Sequence, residues 1–145
     1  MRKTGWVILG VVLLAGLLVG VGTACSGSGA EVNANASQAA INVDSSYSGK
    51  QVELSVGQPL VVSLDSNAST GYSWTQPQIS DDSVLGATGN QTIAPQTSLV
   101  GAPGKEQWTF KALKKGTSTI SMEYRRPWET GIPPAETFDL TVVVK

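Results

Sequence analysis

The sequence predicts an all-β protein, built as an immunoglobulin-like sandwich of two sheets. Apolar residues recur at every second position in five stretches after residue 50, most of the intervening residues are polar, and turn residues separate these stretches. Such alternation buries one face of a strand and leaves the other face in water. No stretch past Ala24 shows a convincing helical period. Six or more short strands in about 100 residues favour a sandwich, and a small barrel is the alternative.

The predicted strands can be followed in chain order. Their alternating apolar positions are Val52, Leu54 and Val56; Leu60, Val62 and Leu64; Trp108, Phe110 and Ala112; Ile120, Met122 and Tyr124; and Phe138, Leu140, Val142 and Val144. Residues typical of turns stand at 57–59, 66–71, 81–82, 101–104, 114–116 and 127–134. Because Gly, Pro, Asn and Asp favour turns, these segments are expected to connect short strands.

The N-terminal segment has the organisation of a secretory signal. Arg2 and Lys3 precede an apolar run of 16 residues, which small residues then connect to Cys25. Charged, apolar and small-residue regions in this order are typical of a cleaved leader, and a membrane span needs about 20 apolar residues. We therefore predict a signal peptide over residues 1–24 and an extracytoplasmic location for the mature protein.

Cys25 is the single cysteine of the chain and directly follows this segment. Its position resembles the lipobox of bacterial-type lipoproteins, in which the thiol is lipidated, although Gly22 replaces the usual Leu. Lipidation would hold the protein on the outer face of the cell membrane. Ordinary cleavage after Ala24 would instead give a secreted protein with a free thiol. Residues 25–46, rich in small and polar side chains, are predicted to tether a domain over 47–145.

Composition argues against the commonest catalytic devices. The chain has no His and one Cys, so it offers no Ser-His or Cys-His nucleophile pair, imidazole metal site or thiolate cluster. Asp81, Asp82 and Glu129 are the carboxylates to consider for a hydrolase, but acids in a turn are usually solvated. We predict that the protein is not an enzyme and needs no cofactor or metal.

Charge argues against a polyanionic partner. Without the leader, which carries Arg2 and Lys3, eight basic and eleven acidic side chains remain, a net charge of −3. A mildly acidic surface does not attract nucleic acid or anionic lipid. The expected state is a monomer that touches a membrane only through its N-terminus.

The first loop, residues 67–74, has an unusual composition for a connector. Small side chains from Ala68 to Gly71 make a thin tip, and Gly71 permits a positive φ. Tyr72 and Trp74 are expected to anchor the following strand, with one ring on each face. Such a tip can enter a narrow cleft. The alternative is an ordinary turn in which Asn67 caps the local backbone and Trp74 belongs to the core.

The third loop, residues 124–129, presents an aromatic side chain beside arginines. Pro127 fixes its own φ and favours an extended Arg126, so Arg126 and Trp128 are expected to project stiffly. An exposed Trp beside Arg is typical of an interface hot spot. The alternative places Trp128 over the core as a lid, with Arg126 stacked on it.

The second loop, residues 99–105, is poor in side chains. Apolar Leu99 and Val100 precede Gly101, Ala102, Pro103 and Gly104. By itself this composition indicates a turn and little else.

In this order and spacing, the three loops resemble those of the chagasin-type inhibitors of papain-like cysteine proteases. That family has an Asn-Pro-Thr-Thr-Gly-aromatic-x-Trp loop, a glycine-rich loop before an aromatic strand, and an Arg-Pro-Trp loop. The residues that carry the resemblance, and that it implies bind the protease, are Asn67, Ser69, Thr70, Gly71 and Tyr72; Gly101, Ala102, Pro103 and Gly104; and Arg126, Pro127 and Trp128. Ala68, Ser69 and Pro103 depart from the family's usual Pro, Thr and Gly.

The resemblance implies a reversible, non-covalent inhibitor whose loops fill the protease cleft. Thr70 and Gly71 would cover the catalytic Cys-His pair, Trp128 would lie on the primed side, and the second loop would reach the non-primed side. A tip that is not an extended strand presents no carbonyl for attack. The alternative function is an exported immunoglobulin-like adhesion or carbohydrate-binding module without a protease target.

Overall fold

The computed structural model describes residues 38–145. The predicted signal peptide, Cys25 and the tether up to residue 37 lie outside the described residues. Within 38–145, no helix has the length and apolar character needed to cross a membrane. No group of three or more metal-ligating side chains occurs in that part of the chain.

Within residues 38–145, nine strands form two sheets. They are β1 (Ile41–Asp44), β2 (Lys50–Leu54), β3 (Pro59–Ser66), β4 (Ser73–Trp74), β5 (Gln78–Ile79), β6 (Leu85–Ile93), β7 (Gly104–Ala112), β8 (Gly116–Arg125) and β9 (Glu136–Val144). One sheet has the order β1-β3-β7-β6, and the other has the order β2-β9-β8-β4, with β5 also paired to β8. The β1–β3 and β2–β9 pairs are parallel and the others antiparallel. The predicted all-β sandwich is confirmed.

The core lies between the two sheets and is built from the predicted alternating positions. In β3 and β7, Leu60 stands opposite Phe110, and both side chains are fully buried. In the other sheet, Ile120 stands opposite Leu140 with the same result. Val56 lies beyond the end of β2 and is exposed. Inward-facing residues from both sheets thus supply a continuous apolar layer, as the alternation requires.

The sandwich begins earlier than the sequence predicts. Residues 41–46, assigned to the flexible tether, form β1 and the start of a 3-10 turn, Ser45–Tyr47. Val43 is buried, and the carboxylate of Asp44 accepts a hydrogen bond of 2.9 Å from the backbone N–H of Ser46. The predicted domain boundary at residue 47 is therefore wrong. With apolar residues only at Ile41 and Val43, β1 is too short to show a detectable alternation. Its partner strand, β3, is not adjacent to it in the chain.

The strand β6 has no counterpart in the predicted set. It is nine residues long, and only Leu85 is buried, because β6 forms the edge of its sheet. Backbone pairing with β7 holds it, with a bulge between Ala87 and Gly89. An edge strand with few apolar contacts shows no alternation that could reveal it. The two-residue strand β5 is likewise too short to predict, whereas β4 is the strand expected after the first loop and contains Trp74.

Candidate functional site

Strand pairing brings the three loops to one end of the sandwich. Ser66, at the end of β3, stands opposite Gly104, the first residue of β7. On the other sheet, Ser73 of β4 stands opposite Arg125, the last residue of β8. The first loop therefore leaves β3 beside the second loop and enters β4 beside the third. The sequence-predicted site residues, distant along the chain, are neighbours in space.

The first loop is closed by its own hydrogen bonds. Asn67 Oδ1 accepts from the backbone N–H of Ser69 at 3.2 Å and from its hydroxyl at 2.6 Å. The N–H groups of Thr70 and Gly71 donate to the carbonyls of Asn67 and Ala68, both at 3.1 Å. Gly71 ends the 3-10 turn Ala68–Thr70 with a φ of 79°. The tip is therefore a compact turn, and the capping role given to Asn67 in the alternative interpretation is observed.

Tyr124 joins this loop to the body of the domain. Its hydroxyl accepts a 2.9 Å hydrogen bond from the backbone N–H of Asn67. Its ring lies 5.4 Å from that of Tyr72 and 5.1 Å from that of the buried Trp74. The expectation that Tyr72 and Trp74 lie on opposite faces is wrong, since both rings pack against Tyr124. The sequence identified Tyr124 only as a strand position, and its anchoring role was missed.

Glu106 supports the base of the same loop and was also missed. Its Oε1 accepts a 2.7 Å hydrogen bond from the Ser66 hydroxyl and a 3.3 Å bond from the backbone N–H of Trp74. These bonds tie both ends of the first loop to β7. The tip is thus supported by the two sheets, which limits its freedom to move away from the other loops.

The third loop turns sharply at Pro127 and Trp128. The backbone N–H of Glu129 donates to the carbonyl of Arg126 at 3.1 Å, closing a β-turn with Pro at its first central position. Trp128 is 67% exposed, so the interpretation of this side chain as a lid on the core is wrong. Its ring instead lies against Gly71: a Cβ at that glycine would stand 2.5 Å from Trp128 Cη2.

Two adjacent arginines brace the third loop in different ways. The Arg125 guanidinium donates to the Glu123 carboxylate at 3.0 Å and to the carbonyls of Glu129 and Ile132 at 3.2 and 3.3 Å. Arg126 donates from Nε to the carbonyl of Thr70 at 3.1 Å. Arg126 was expected to project outward with Trp128, but the structure directs its guanidinium toward the first loop. The bracing role of Arg125 carried no signal in the sequence.

The second loop is tied to the first through one side chain. Asn67 Nδ2 donates to the carbonyl of Gly101 at 3.1 Å, across a groove of about 470 Å³ between the two loops. A turn closed by the N–H of Ala102 on the carbonyl of Leu99 shapes the tip. Pro103 is exposed between this turn and β7. Gly104 is already part of β7, where a Cβ would overlap the Ile93 carbonyl oxygen.

Asp81 and Glu129, two of the carboxylates considered for a hydrolase, are each engaged by neighbouring groups. Asp81 accepts bonds of 2.6 and 3.0 Å from the Ser83 hydroxyl and backbone N–H, and these bonds lower the pKa of Asp81. Glu129 is 3.0 Å from Arg126 Nη1 in an ion pair on the loop face. These contacts are those of a turn cap and of a structural ion pair.

Comparison with known families agrees with the geometry of the loops. A family profile described as "Chagasin family peptidase inhibitor I42" matches residues 53–142, which is more than half of the chain. The chain belongs to the chagasin family of peptidase inhibitors. The resemblance inferred from the three loops is thereby confirmed, and the family is one of inhibitors and not of enzymes.

Individual known proteins are also similar to this chain. Amoebiasin-2 of Entamoeba histolytica is 31% identical over 94 residues, 65% of this chain and 76% of that protein. Chagasin of Trypanosoma cruzi is 28% identical over 106 residues, 71% of this chain and 94% of that protein. The crystal structure of the cysteine protease inhibitor EhICP2 from Entamoeba histolytica superposes with a TM-score of 0.68 at 26% identity, covering 74% and 97% of the two chains.

Proposed function

We propose that this protein is a reversible, non-covalent inhibitor of papain-like cysteine proteases that blocks the active-site cleft with its three loops. Hydrogen bonds that connect the three loops are the main support for this proposal. Asn67 bonds the first loop to Gly101 of the second, and Arg126 of the third bonds to Thr70. Three connected tips form one continuous edge, which suits a cleft.

The conformation of the first loop supports inhibition without cleavage. A protease attacks a carbonyl that is held in an extended segment, with the reacting atoms about 3 Å apart. Here residues 68–70 form a closed 3-10 turn, and the Thr70 carbonyl already accepts the Arg126 Nε–H. The tip can therefore occupy the cleft without placing a carbonyl in line with the thiolate.

Exposure divides the proposed contact residues into two groups. The exposed residues, free to touch the enzyme, are Ser69, Thr70, Gly101, Pro103, Pro127 and Trp128. The half-buried residues are Asn67, Gly71, Tyr72, Ala102, Gly104 and Arg126. Among the half-buried residues, Asn67 and Arg126 hold the tips in place through their hydrogen bonds to Gly101 and Thr70. Inhibitor interfaces bury about 1,600 Å² in total, and a few large anchors supply most of the energy. Trp128 is the largest exposed side chain of this edge, so it is the proposed main anchor.

Location and anchoring belong to the same proposal. The leader-like segment over 1–24 supports export, and Cys25 is proposed as the lipidated residue that holds the domain at the outer face of the cell membrane. The domain itself is proposed to act as a monomer, since one copy supplies all three loops.

The proposal is tested by titrating the purified protein into papain and into trypsin, an unrelated serine protease. We expect complete loss of papain activity near equimolar protein and no effect on trypsin. If a large excess leaves both activities unchanged, the inhibitor proposal fails, and an exported adhesion or carbohydrate-binding module becomes the better interpretation.

A further inference from the structure

Arg126 makes three contacts with its single guanidinium. Its Nε donates to the Thr70 carbonyl at 3.1 Å, its Nη1 donates to Glu129 Oε1 at 3.0 Å, and its Cζ lies over the Tyr72 ring, 4.6 Å from the ring centre. Two of these partners belong to the first loop and one to the third. The side chain of Glu129 is 25% exposed, less than any other acidic partner in the ion pairs of residues 38–145.

The direction of the Nε–H depends on where Nη1 is held. A guanidinium is rigid and planar, so fixing Nη1 on Glu129 and one face on Tyr72 also fixes where Nε–H points. Without the carboxylate, the long Arg side chain regains several rotamers. The bond to Thr70 would then be made only part of the time.

The Thr70 carbonyl lies at the tip proposed to enter the cleft, and Trp128 lies between Arg126 and Glu129 in the chain. Because Arg126 binds both Thr70 and Glu129, the ion pair with Glu129 holds the first loop and the Trp128 turn in a fixed relative position. The indole contact with Gly71 depends on the same spacing. Preorganised loops bind with a smaller entropic cost than mobile ones.

We infer that Glu129 is a positioning residue for inhibition, acting through Arg126 to make the first and third loops dock as one rigid surface. This inference rests on the proposed function. It assigns a role to a residue outside the motifs that suggested that function. Because partly exposed ion pairs contribute little to folding stability, the effect is expected in binding and not in the thermal transition.

The experiment measures association and dissociation of the full-length protein with papain. Glu129→Ala is expected to raise the dissociation constant about tenfold, mainly through slower association, since a competent arrangement populated one tenth of the time has that effect. Glu129→Gln, which keeps an acceptor oxygen near Arg126, is expected to recover most of the loss. Glu53→Ala removes another ion-paired carboxylate, at the opposite end of the sandwich, and is the matched control.

A double-mutant cycle separates positioning from direct contact. In an Arg126→Ala background, Glu129→Ala is expected to have little further effect, because its only route to the tip is gone. Equal effects of Glu129→Ala in both backgrounds would mean that the carboxylate acts on the protease directly and would overturn the inference. So would wild-type affinity in Glu129→Ala.

A readout without protease keeps this test independent of the proposed function. Backbone amide order parameters of Thr70 and Gly71, measured by NMR, should fall in Glu129→Ala and stay at wild-type values in Glu53→Ala. Unchanged order at both residues would overturn the inference even if wild-type protein inhibits papain. Failure of wild-type protein to inhibit papain would instead overturn the proposed function.

Discussion

Replacing Gly71 by Val tests whether the first loop enters the protease cleft. Its φ of 79° is left-handed, and a Cβ there would stand 2.5 Å from Trp128 Cη2. Replacement by Val imposes two costs. A non-glycine residue in the left-handed region destabilises the fold by about 1–2 kcal/mol, and by more when it is β-branched. The overlap with the indole must also be relieved, which displaces Trp128 or the tip.

The turn at Gly57 provides a matched control for Gly71→Val. Gly57 has a φ of 86°, its added Cβ would meet nothing within 4 Å, and it lies at the opposite end of β3. Both Val variants should lose about 1–2 kcal/mol or more of stability to backbone strain, and relieving the overlap with the Trp128 indole adds to the loss in Gly71→Val alone. Inhibition of papain should weaken in Gly71→Val alone, by tenfold or more, on the order of 1.4 kcal/mol.

The assay is an inhibition constant for papain, measured beside a denaturant unfolding curve for each variant. The comparison isolates the loop effect, because both variants carry the same kind of backbone strain. If Gly71→Val and Gly57→Val inhibit papain equally well, the first loop does not enter the cleft.

Three further variants test the exposed role of Trp128, the contribution of β1 to stability and the anchoring at Cys25. Trp128→Ala should weaken papain binding by about 2 kcal/mol or more with a nearly unchanged Tm, as for an exposed hot spot; a large fall in Tm would contradict the exposed position. A fragment of residues 47–145 should melt at least about 5 °C below one of residues 38–145, because it lacks β1 and the buried Val43; equal Tm values would make β1 dispensable. Cys25→Ala should release the protein from membranes into the soluble fraction; continued membrane association would indicate an uncleaved anchor.

The strands that were predicted share one property, which is a clear inward face. Leu60, Val62 and Leu64 alternate with Val61, Ser63 and Asp65 and are all fully buried, so local periodicity was sufficient to find β3. The strand β6 escaped prediction because its side chains mostly face water and its stability comes from pairing with β7. The strand β1 was not predicted because it has only four residues and its parallel partner, β3, is not adjacent in the chain.

The loop motifs were predictable as motifs, but their connections were not. The Arg-Pro-Trp sequence showed that Trp128 would be displayed, and the turn at Pro127 explains how. Nothing local to Arg126 shows that its guanidinium reaches back to Thr70, 56 residues earlier. The same holds for Tyr124, whose hydroxyl supports Asn67 across 57 residues. Contacts of this kind depend on the pairing of strands and become visible only in the folded chain.

In the proposed complex, the closed turn at 68–70 and the neighbouring Trp128 fill a cysteine protease cleft without being cut. Active-site titration of papain, followed by dissociation of the complex and intact-mass measurement of the recovered protein, tests it most directly. We expect one-to-one inhibition, return of activity on dissociation, and an uncut chain without an adduct. Persisting papain activity in excess protein, a chain cleaved within 67–72, or a covalent adduct would contradict it.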